Sequence, residues 1–577
     1  MPIEQRPSID VAILAGRVPH KDRLYAIGPF AERVSFASQQ RRAMNLICAI
    51  HDEICRSGDD AGLKGKSACV VGAGLAGLTC SIALAAFNCT NWILEASHRP
   101  LNTTRHAKHR EIHPTINFWP RETVSISTEL PFMNWYQDRC DLLMARLLDK
   151  WERFATRSEI MPITYRSTVT GVQRKSGKWQ VTTTGTASPV QDFDLVIFAT
   201  GFGLEKIVMN SGSPAYWSLD GDRIDAIRDA SPPVVKNFVV GGTGDGGLIE
   251  VLRLLYRNFQ AGRVSYGTEA TLENDWILRT LREIEGRVKL RVSDYILHEG
   301  FPVDPKTKDE IARALWEEYA SIYVRLGARF RQSLEEQRTA LPKVILIGKR
   351  ATPAEHTASP YHRLLIMHAI HEGWVEYYQH SGSVVVADCS APGDHRDADR
   401  LLVKRKHVSF RGRKSMIGDG GSVASKRLRG TMSLENCFFI NRYGTDSPLK
   451  DILDPISPDL IDQVKKRQLL YADQDWISLA QASDLAERLG CARPDEPVNW
   501  LFEQMDEARM FFRDRYRLRV QDEVVEGTPR LLLYTGNGND RRWSDVNEAG
   551  PIPEHFFGVP IDRTKVVTIP LASRTGH

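Results

Sequence analysis

The chain has 577 residues, 42% hydrophobic and 26% charged, with a formal net charge of +4. That length exceeds what one core organises and points to about three or four domains of a soluble globular protein. The small net charge gives no footing to a nucleic-acid or anionic-membrane partner, and no apolar run reaches the length of a membrane span, so the expected setting is cytoplasmic with neither as partner. Nine cysteines, scattered and without CxxC spacing, suit a reducing compartment and argue against a dithiol exchange mechanism.

Residues 1–35 are polar and proline-containing, without the layout of a signal peptide, and are expected to form a surface arm. Residues 36–57 place Ala43, Leu46, Ile47 and Ile50 at helical spacing, so a helix precedes the first strand. Its Arg41 and Arg42 read as a solvated face, with a place near cofactor phosphates as the alternative. Then come the strand Ala68–Val71, the run GAGLAGLTCSIALAA, and a second strand ending in Trp92-Ile93-Leu94-Glu95. This is the layout of a dinucleotide-binding βαβ unit. Gly72 makes the tight turn, Gly74 lets a pyrophosphate approach the backbone, and Gly77 lets the helix pack on the sheet, while Ala73 and Ala76 keep the turn small. The helix opening near Leu75 aims its free N–H groups at the phosphates, and Glu95 accepts from the ribose hydroxyls of an adenosine.

From Ser67 to Pro100 the sequence resembles the FAD-binding motif of the flavoprotein superfamily that includes glutathione and thioredoxin reductases, flavin monooxygenases and flavin amine oxidases. The resemblance rests on Gly72, Gly74, Gly77 and Glu95 and implies bound FAD, with Ala73, Leu75, Ala76 and Ala96 at the same turn and acid. The run EASHRPLNTTR lacks the paired glycines of the amine oxidase GGR segment, so the subfamily stays open; its Arg99 and Arg105 are candidates for the pyrophosphate.

Residues 98–135 concentrate His98, His106, His109, His113, Phe118, Trp119, Phe132 and Trp135. In the superfamily this part of the chain often crosses the flavin ring or enters the substrate cavity. On a helix His106, His109 and His113 would share a face, but no cysteine or carboxylate completes a metal set and Pro114 ends the helix, so no metal site is expected. His113, where the segment turns into the aromatic run, is the expected catalytic residue, handling a proton or orienting substrate; surface histidines on a long loop are the alternative.

Thr164–Gly171 and Trp179–Thr184, joined by RKSGK, read as a β-hairpin, and Asp194–Gly203 as a buried strand ending in Ala199-Thr200-Gly201. That ending resembles the ATG strand by which these flavoproteins return to the FAD domain, which brings Thr200 and Gly201 to the cofactor. A third glycine element, Phe238–Gly247, allows two readings. Gly242, Gly244 and Gly247 repeat GxGxxG, as a second site for NAD(P)H would. Alternatively, Gly244 and Asp245 resemble the GD motif whose aspartate holds the FAD ribityl chain. A nicotinamide domain needs a further apolar strand after the helix, closed by an acid or a base, and QAGRVSYGTEATLEND is too polar to supply it; the flavin contact is therefore favoured.

Residues 270–340 are charged and helix-rich, and Val344–Gly348 leads through KRATPAEHTASPYHR into the helix LLIMHAI, either closing the FAD domain with Arg363 near the cofactor or forming a separate α/β layer. Basic clusters in 390–430 lack aromatic interleaving and read as solvated loop or edge strand. No internal repeat is evident. The expected fold is α/β: a Rossmann-like FAD-binding domain with parallel sheet, a β-meander, a helical insertion and a mixed α+β C-terminal domain. The expected segments are an arm and helix (1–60), an FAD domain (61–265), a helical cap (266–340), a closing strand and helix of the FAD domain (341–385) and a C-terminal domain (386–577). The expected function is FAD-dependent oxidation or reduction of a small molecule by hydride transfer at flavin N5. The alternatives are an NAD(P)H-using flavin monooxygenase or reductase with a second site at 242–247, and a dinucleotide-binding sensor without turnover whose C-terminal region meets a protein partner.

Overall fold

The computed structural model describes residues 9–31, 33–120, 127–157, 159–185, 192–206, 208, 213–231, 233–256, 259, 272, 274–339, 343–388, 406–417, 423–471, 479–491, 518–525, 528–535, 555–556 and 559–560. Contacts divide the chain into one unit of residues 1–126 and 137–476 and another of residues 127–136 and 477–577. The run 98–135 is thereby split, with Phe132 and Trp135 in the second unit. Described in that second unit are a helix, Leu479–Leu489, and an antiparallel strand pair, Leu518–Val525 with Thr528–Thr535.

The first unit holds two sheets. In the first, β1 (Leu24–Ala26), β2 (Ser67–Val71), β3 (Thr90–Leu94) and β9 (Leu195–Phe198) lie in the order β1-β9-β2-β3, all parallel. β9 reads LVIF and is buried at every position, as a central parallel strand covered on both faces must be. Between β2 and β3 runs α3 (Leu75–Ala86), apolar on all sides and packed against α2 (Phe36–Arg56), which opens with a Ser35/Ser38 capping box. The other face of the sheet packs on Val169, Val172, Trp179 and Val181 of the meander β6 (Ser167–Lys175), β7 (Lys178–Gly185) and β8 (Asp192–Phe193). The expected hairpin is β6–β7, turning at Ser176-Gly177. The arm expected over residues 1–35 is corrected in part: Leu24-Tyr25-Ala26 pair with Val196-Ile197-Phe198 as the sheet's edge strand. Three residues are too few to display a period, so only pairing with a distant strand reveals them.

The second sheet contains β11 (Asn237–Gly241), β12 (Lys343–Gly348), β13 (Val375–Asp388), β14 (Lys406–Ile417), β15 (Val423–Arg427) and β16 (Met432–Asn441), in the order β13-β12-β11-β16-β14-β15, with β13 also pairing β14. β16, β11, β12 and β13 are parallel, and β14 and β15 antiparallel. α6 (Asp245–Leu255) and α9 (Pro360–His371) pack together on one face. The long helices α7 (Asp275–His298) and α8 (Pro305–Glu335, broken at Gly327) are inserted in the crossover from α6 to β12.

Three expected segment boundaries are corrected by this sheet. β11 and α6 belong to the second sheet and not the first, β12 pairs with β11 instead of closing the first sheet, and β14, β15 and β16 continue the second sheet instead of opening a C-terminal domain. The chain then returns to the first core through Leu449, Ile452, Leu453, Leu460, Ile461 and Val464. Strand order is a long-range choice: the 61-residue span of α7 and α8 separates β11 from the strand it pairs with, and no local pattern records that pairing.

Candidate functional site

β2 leads into Gly72, whose N–H donates to the Leu94 carbonyl at 2.7 Å. Gly72 has φ +106°, and a Cβ there would press on the Ala199 carbonyl at 2.7 Å. At Gly77 a Cβ would collide with the Gly72 carbonyl, so the helix lies directly on the turn. Gly74 differs: it is the N-cap of α3 at φ −72°, ψ 175°, and a Cβ there meets no atom within 4 Å. Only the middle glycine faces open space, where a pyrophosphate approaches such a turn.

The second sheet repeats this arrangement. Gly242, φ +120°, donates to the Ile347 carbonyl at 2.9 Å, and a Cβ on it would collide with the Arg442 carbonyl. A Cβ on Gly247 would collide with the Gly242 carbonyl, while Gly244, the N-cap of α6 at φ −81°, ψ 176°, again meets no atom within 4 Å. Beyond the neighbouring strands the match continues: Ala199 donates to the Val71 carbonyl at 2.8 Å and Arg442 to the Gly241 carbonyl at 2.7 Å. The chain therefore contains two dinucleotide-type glycine turns, at the two GxGxxG runs of its sequence.

At the first turn, Glu95 accepts from the N–H groups of Ala73 at 2.6 Å and Ser97 at 2.7 Å, which fixes its carboxylate beside the open glycine. The loop beyond Ala96 folds back, Leu101 donating to the Ala73 carbonyl at 3.0 Å. Arg99 is turned to Asn102 at 3.1 Å, and Arg105 follows in the same loop. Thr200, with Gly201 at φ +66° after β9, has a buried hydroxyl oxygen with no partner among the described residues. Such an orphaned group calls for a ligand or water. Gly74, Glu95 and Thr200 thus fit an adenine dinucleotide such as FAD.

At the second turn, the register Val71↔Leu94 and Gly241↔Ile347 makes Gly348 the counterpart of Glu95. No acid stands there; Lys349 and Arg350 follow. β12 is therefore the further apolar strand, closed by basic residues, that a nicotinamide domain requires and that QAGRVSYGTEATLEND does not supply. Glu355 donates its N–H to the Thr243 carbonyl and accepts from the Thr243 hydroxyl, both at 3.0 Å. Asp245 sits at the first position of α6, in the second sheet, and accepts from the Ser359 N–H at 2.7 Å and bonds His362 Nδ1 at 2.8 Å. Burial pushes its carboxyl up, but His362 and the Ser359 N–H outweigh this and hold it below the usual carboxylate range.

A buried ion cluster lies next to this second turn. Glu250 on α6 accepts from Arg442 at 2.6 Å and from Arg110, which comes from the segment after the first βαβ unit, and Tyr216 lies under Arg110 at 3.6 Å. Burial opposes the Glu250 charge, yet Arg110, Arg442 and Arg253 hold its carboxyl well below the usual range.

The histidines do not gather into a site. His113 is 5% exposed, and its Nδ1 accepts the N–H groups of Thr115 at 3.1 Å and Ile116 at 3.0 Å. Two backbone donors on its Nδ1 make His113 the cap of this turn. His109 contacts the Tyr216 carbonyl at 3.1 Å, and burial lowers its pKa to about 4. Among the described residues no three His, Cys, Asp or Glu side chains form a metal-binding group. Of the described cysteines, six are buried, and burial raises the Cys89 thiol to about 12. Among the described residues no helix is long and apolar enough to cross a membrane. Sequence reasoning missed Gly348, Lys349, Ser359 and His362; the signal was the basic pair directly after an apolar strand, hidden by the helical insertion.

No protein-family model and no curated protein matches the chain. Among solved structures, the bacillithiol disulfide reductase of Staphylococcus aureus is 10% identical over 67% of this chain and 80% of that one, with a TM-score of 0.32. That of Bacillus cereus is 12% identical over 67% and 81%, at 0.31. The thioredoxin reductase of Lactococcus lactis is 11% identical over 74% and 99%, at 0.30. The chain is similar to these.

Proposed function

We propose that the chain is an FAD-dependent oxidoreductase that takes electrons from NAD(P)H, with FAD at the Gly72–Gly77 turn and the nicotinamide dinucleotide at the Gly242–Gly247 turn. The observation that carries this is the duplicated turn, open at Gly74 and at Gly244 and closed by backbone at the flanking glycines. Bound FAD supplies hydride acceptance at N5 and the onward chemistry of reduced flavin. The protein's part at the first turn is to set the α3 N-terminus against the pyrophosphate and Glu95 against the adenosine ribose. At the second turn the α6 N-terminus and the open Gly244 do the same for the nicotinamide dinucleotide. Asp245, expected to hold the flavin ribityl chain, is reassigned to that second site because it begins α6.

The acceptor is reduced without a protein dithiol. No CxxC occurs in the sequence, and burial pushes the Cys69, Cys80, Cys89 and Cys140 thiols up, whereas thiol–disulfide exchange needs a thiolate. The substrate is accordingly a small molecule or oxygen reacting at the flavin, as in a monooxygenase or a direct reductase. The test is anaerobic titration of the purified yellow protein. Bleaching at the flavin band by NADPH or NADH, unchanged after thiol alkylation, is the expected result. A protein that stays colourless after soaking with FAD, or a flavin that only dithionite reduces, would overturn the proposal.

A further inference from the structure

Beside the second glycine turn lies an arrangement of cations that the fold does not need. β14 and β15 pair Arg413 directly with Arg427 and Lys414 with Lys426. Like charges directly opposite on adjacent strands are destabilising. Lys414 is relieved by Glu376 at 2.8 Å; Arg413, Arg427 and Lys426 are exposed, with no carboxylate partner among the described residues. Register fixes where these side chains stand. Gly348 pairs with Gln379 on β13, Gln379 with Arg413 on β14, and Arg413 with Arg427 on β15. Since strands are spaced by about 4.8 Å, Arg413 starts roughly 10 Å from Gly348, the counterpart of Glu95.

The face is also fixed. Tyr377 and Ser415 pair on the face that carries α9, while Tyr378 and Phe410 point into the opposite core, so Arg413 and Arg427 share the face of Ser415. The loop after β12 crosses that face: the Ala351 carbonyl accepts from the Ser415 hydroxyl at 3.4 Å, and the Lys349 carbonyl from Gln379 at 3.2 Å. Exposed Lys349, Arg413 and Arg427 therefore rim the place where an adenosine ribose would lie if the second turn binds a dinucleotide. Of the described carboxylates near this turn, Glu355 is bonded to Thr243 and Asp309 lies 4.0 Å from Arg350.

We propose that this rim selects the 2′-phosphorylated dinucleotide, NADP(H), over NAD(H), with Arg413 and Arg427 of the antiparallel ribbon supplying the field together with Lys349. The inference rests on the second-site assignment above. A 2′-phosphate is excluded by an acid at the Glu95 position and accommodated by arginine nearby. Gly348 removes the acid, and the ribbon brings the arginines from 65 and 79 residues farther along the chain.

The test is calorimetric titration of the FAD-loaded protein with NADP⁺ and NAD⁺, for wild type and for R413Q/R427Q, at 50 and 200 mM salt. NADP⁺ is expected to bind at least tenfold tighter than NAD⁺, to weaken with salt, and to lose five- to tenfold in the double variant while NAD⁺ binding stays within twofold. Both residues are exposed, and an unchanged melting temperature verifies the fold. Equal affinity of wild type for the two nucleotides, or an unaltered preference in the variant, overturns this inference and leaves the second site standing. Failure of wild type to bind either nucleotide overturns the second site itself, and this inference with it.

Discussion

Arg363 grips Glu285 through two parallel bonds, Nη1 to Oε1 and Nη2 to Oε2, each 2.9 Å long, with both side chains buried. Tyr319 donates to the same carboxylate at 2.6 Å and Arg33 bonds it as well. Arg363, expected near a cofactor, instead ties the inserted helix α7 to α9. A buried carboxylate held by a planar fork is orienting and expensive to break, since removal of one partner strands the other charge. Arg363→Met is expected to destabilise the first unit by about 3–5 kcal/mol. Urea unfolding followed by far-ultraviolet dichroism measures it, and a loss below about 1 kcal/mol would show that water replaces the pair.

The same carboxylate has a pH signature. Burial opposes its charge, but Arg363, Arg33 and the Tyr319 hydroxyl outweigh burial and lower the pKa to about 2. An unfolded glutamate titrates near 4.3. The folded pKa is the lower one, so the stability it contributes is complete above about pH 4.3 and declines as pH falls toward 2. The stability gap between wild type and Glu285→Gln should hold steady from pH 7 to about 5 and narrow below about pH 4. A gap that widens in acid contradicts the assignment.

The glycine turns make a sharper prediction. Gly74→Ala and Gly244→Ala place a methyl group in open space at a permitted φ, so both variants should fold with unchanged melting temperatures. Gly74→Ala should cut flavin content several-fold, whereas Gly244→Ala should keep the flavin and lose several-fold in nicotinamide dinucleotide affinity. Gly77→Ala, which drives a methyl group into the Gly72 carbonyl, should lower soluble yield instead. Absorbance ratios and nucleotide titration separate the three. Loss of flavin in Gly244→Ala would mean the two sites are assigned the wrong way round.

His113→Ala removes the acceptor of two backbone N–H groups and should cost about 1–3 kcal/mol of stability. If the residue is only a turn cap, the rate of flavin bleaching by NADPH should stay within twofold of wild type. A hundredfold slower reaction with an intact fold would restore its catalytic role.

Legibility in the sequence followed locality. The first unit of strand, turn and helix was readable because Gly72, Gly74, Gly77 and Glu95 act within 24 consecutive residues. The hairpin β6–β7 was readable for the same reason. The setting of Asp245 was not legible because it depends on β12, whose first residue, Lys343, lies 98 residues farther along the chain. The turn-capping bonds of His113 leave no trace in the sequence, because a histidine that caps a turn and one that moves protons look alike until the partners of each ring nitrogen are seen.

By itself, the sequence determined that one apolar strand must turn at Gly72 into a helix able to receive a dinucleotide, because steric demands on three glycines are written in neighbouring residues. Only the tertiary structure decided that β12 completes the turn of the second GxGxxG, that residues 24–26 finish the first sheet, and that Gly348, Lys349, Arg413 and Arg427 meet at one edge. Strand pairing is chosen by burial and hydrogen bonding between segments far apart in the chain, and that choice leaves no local periodicity to read.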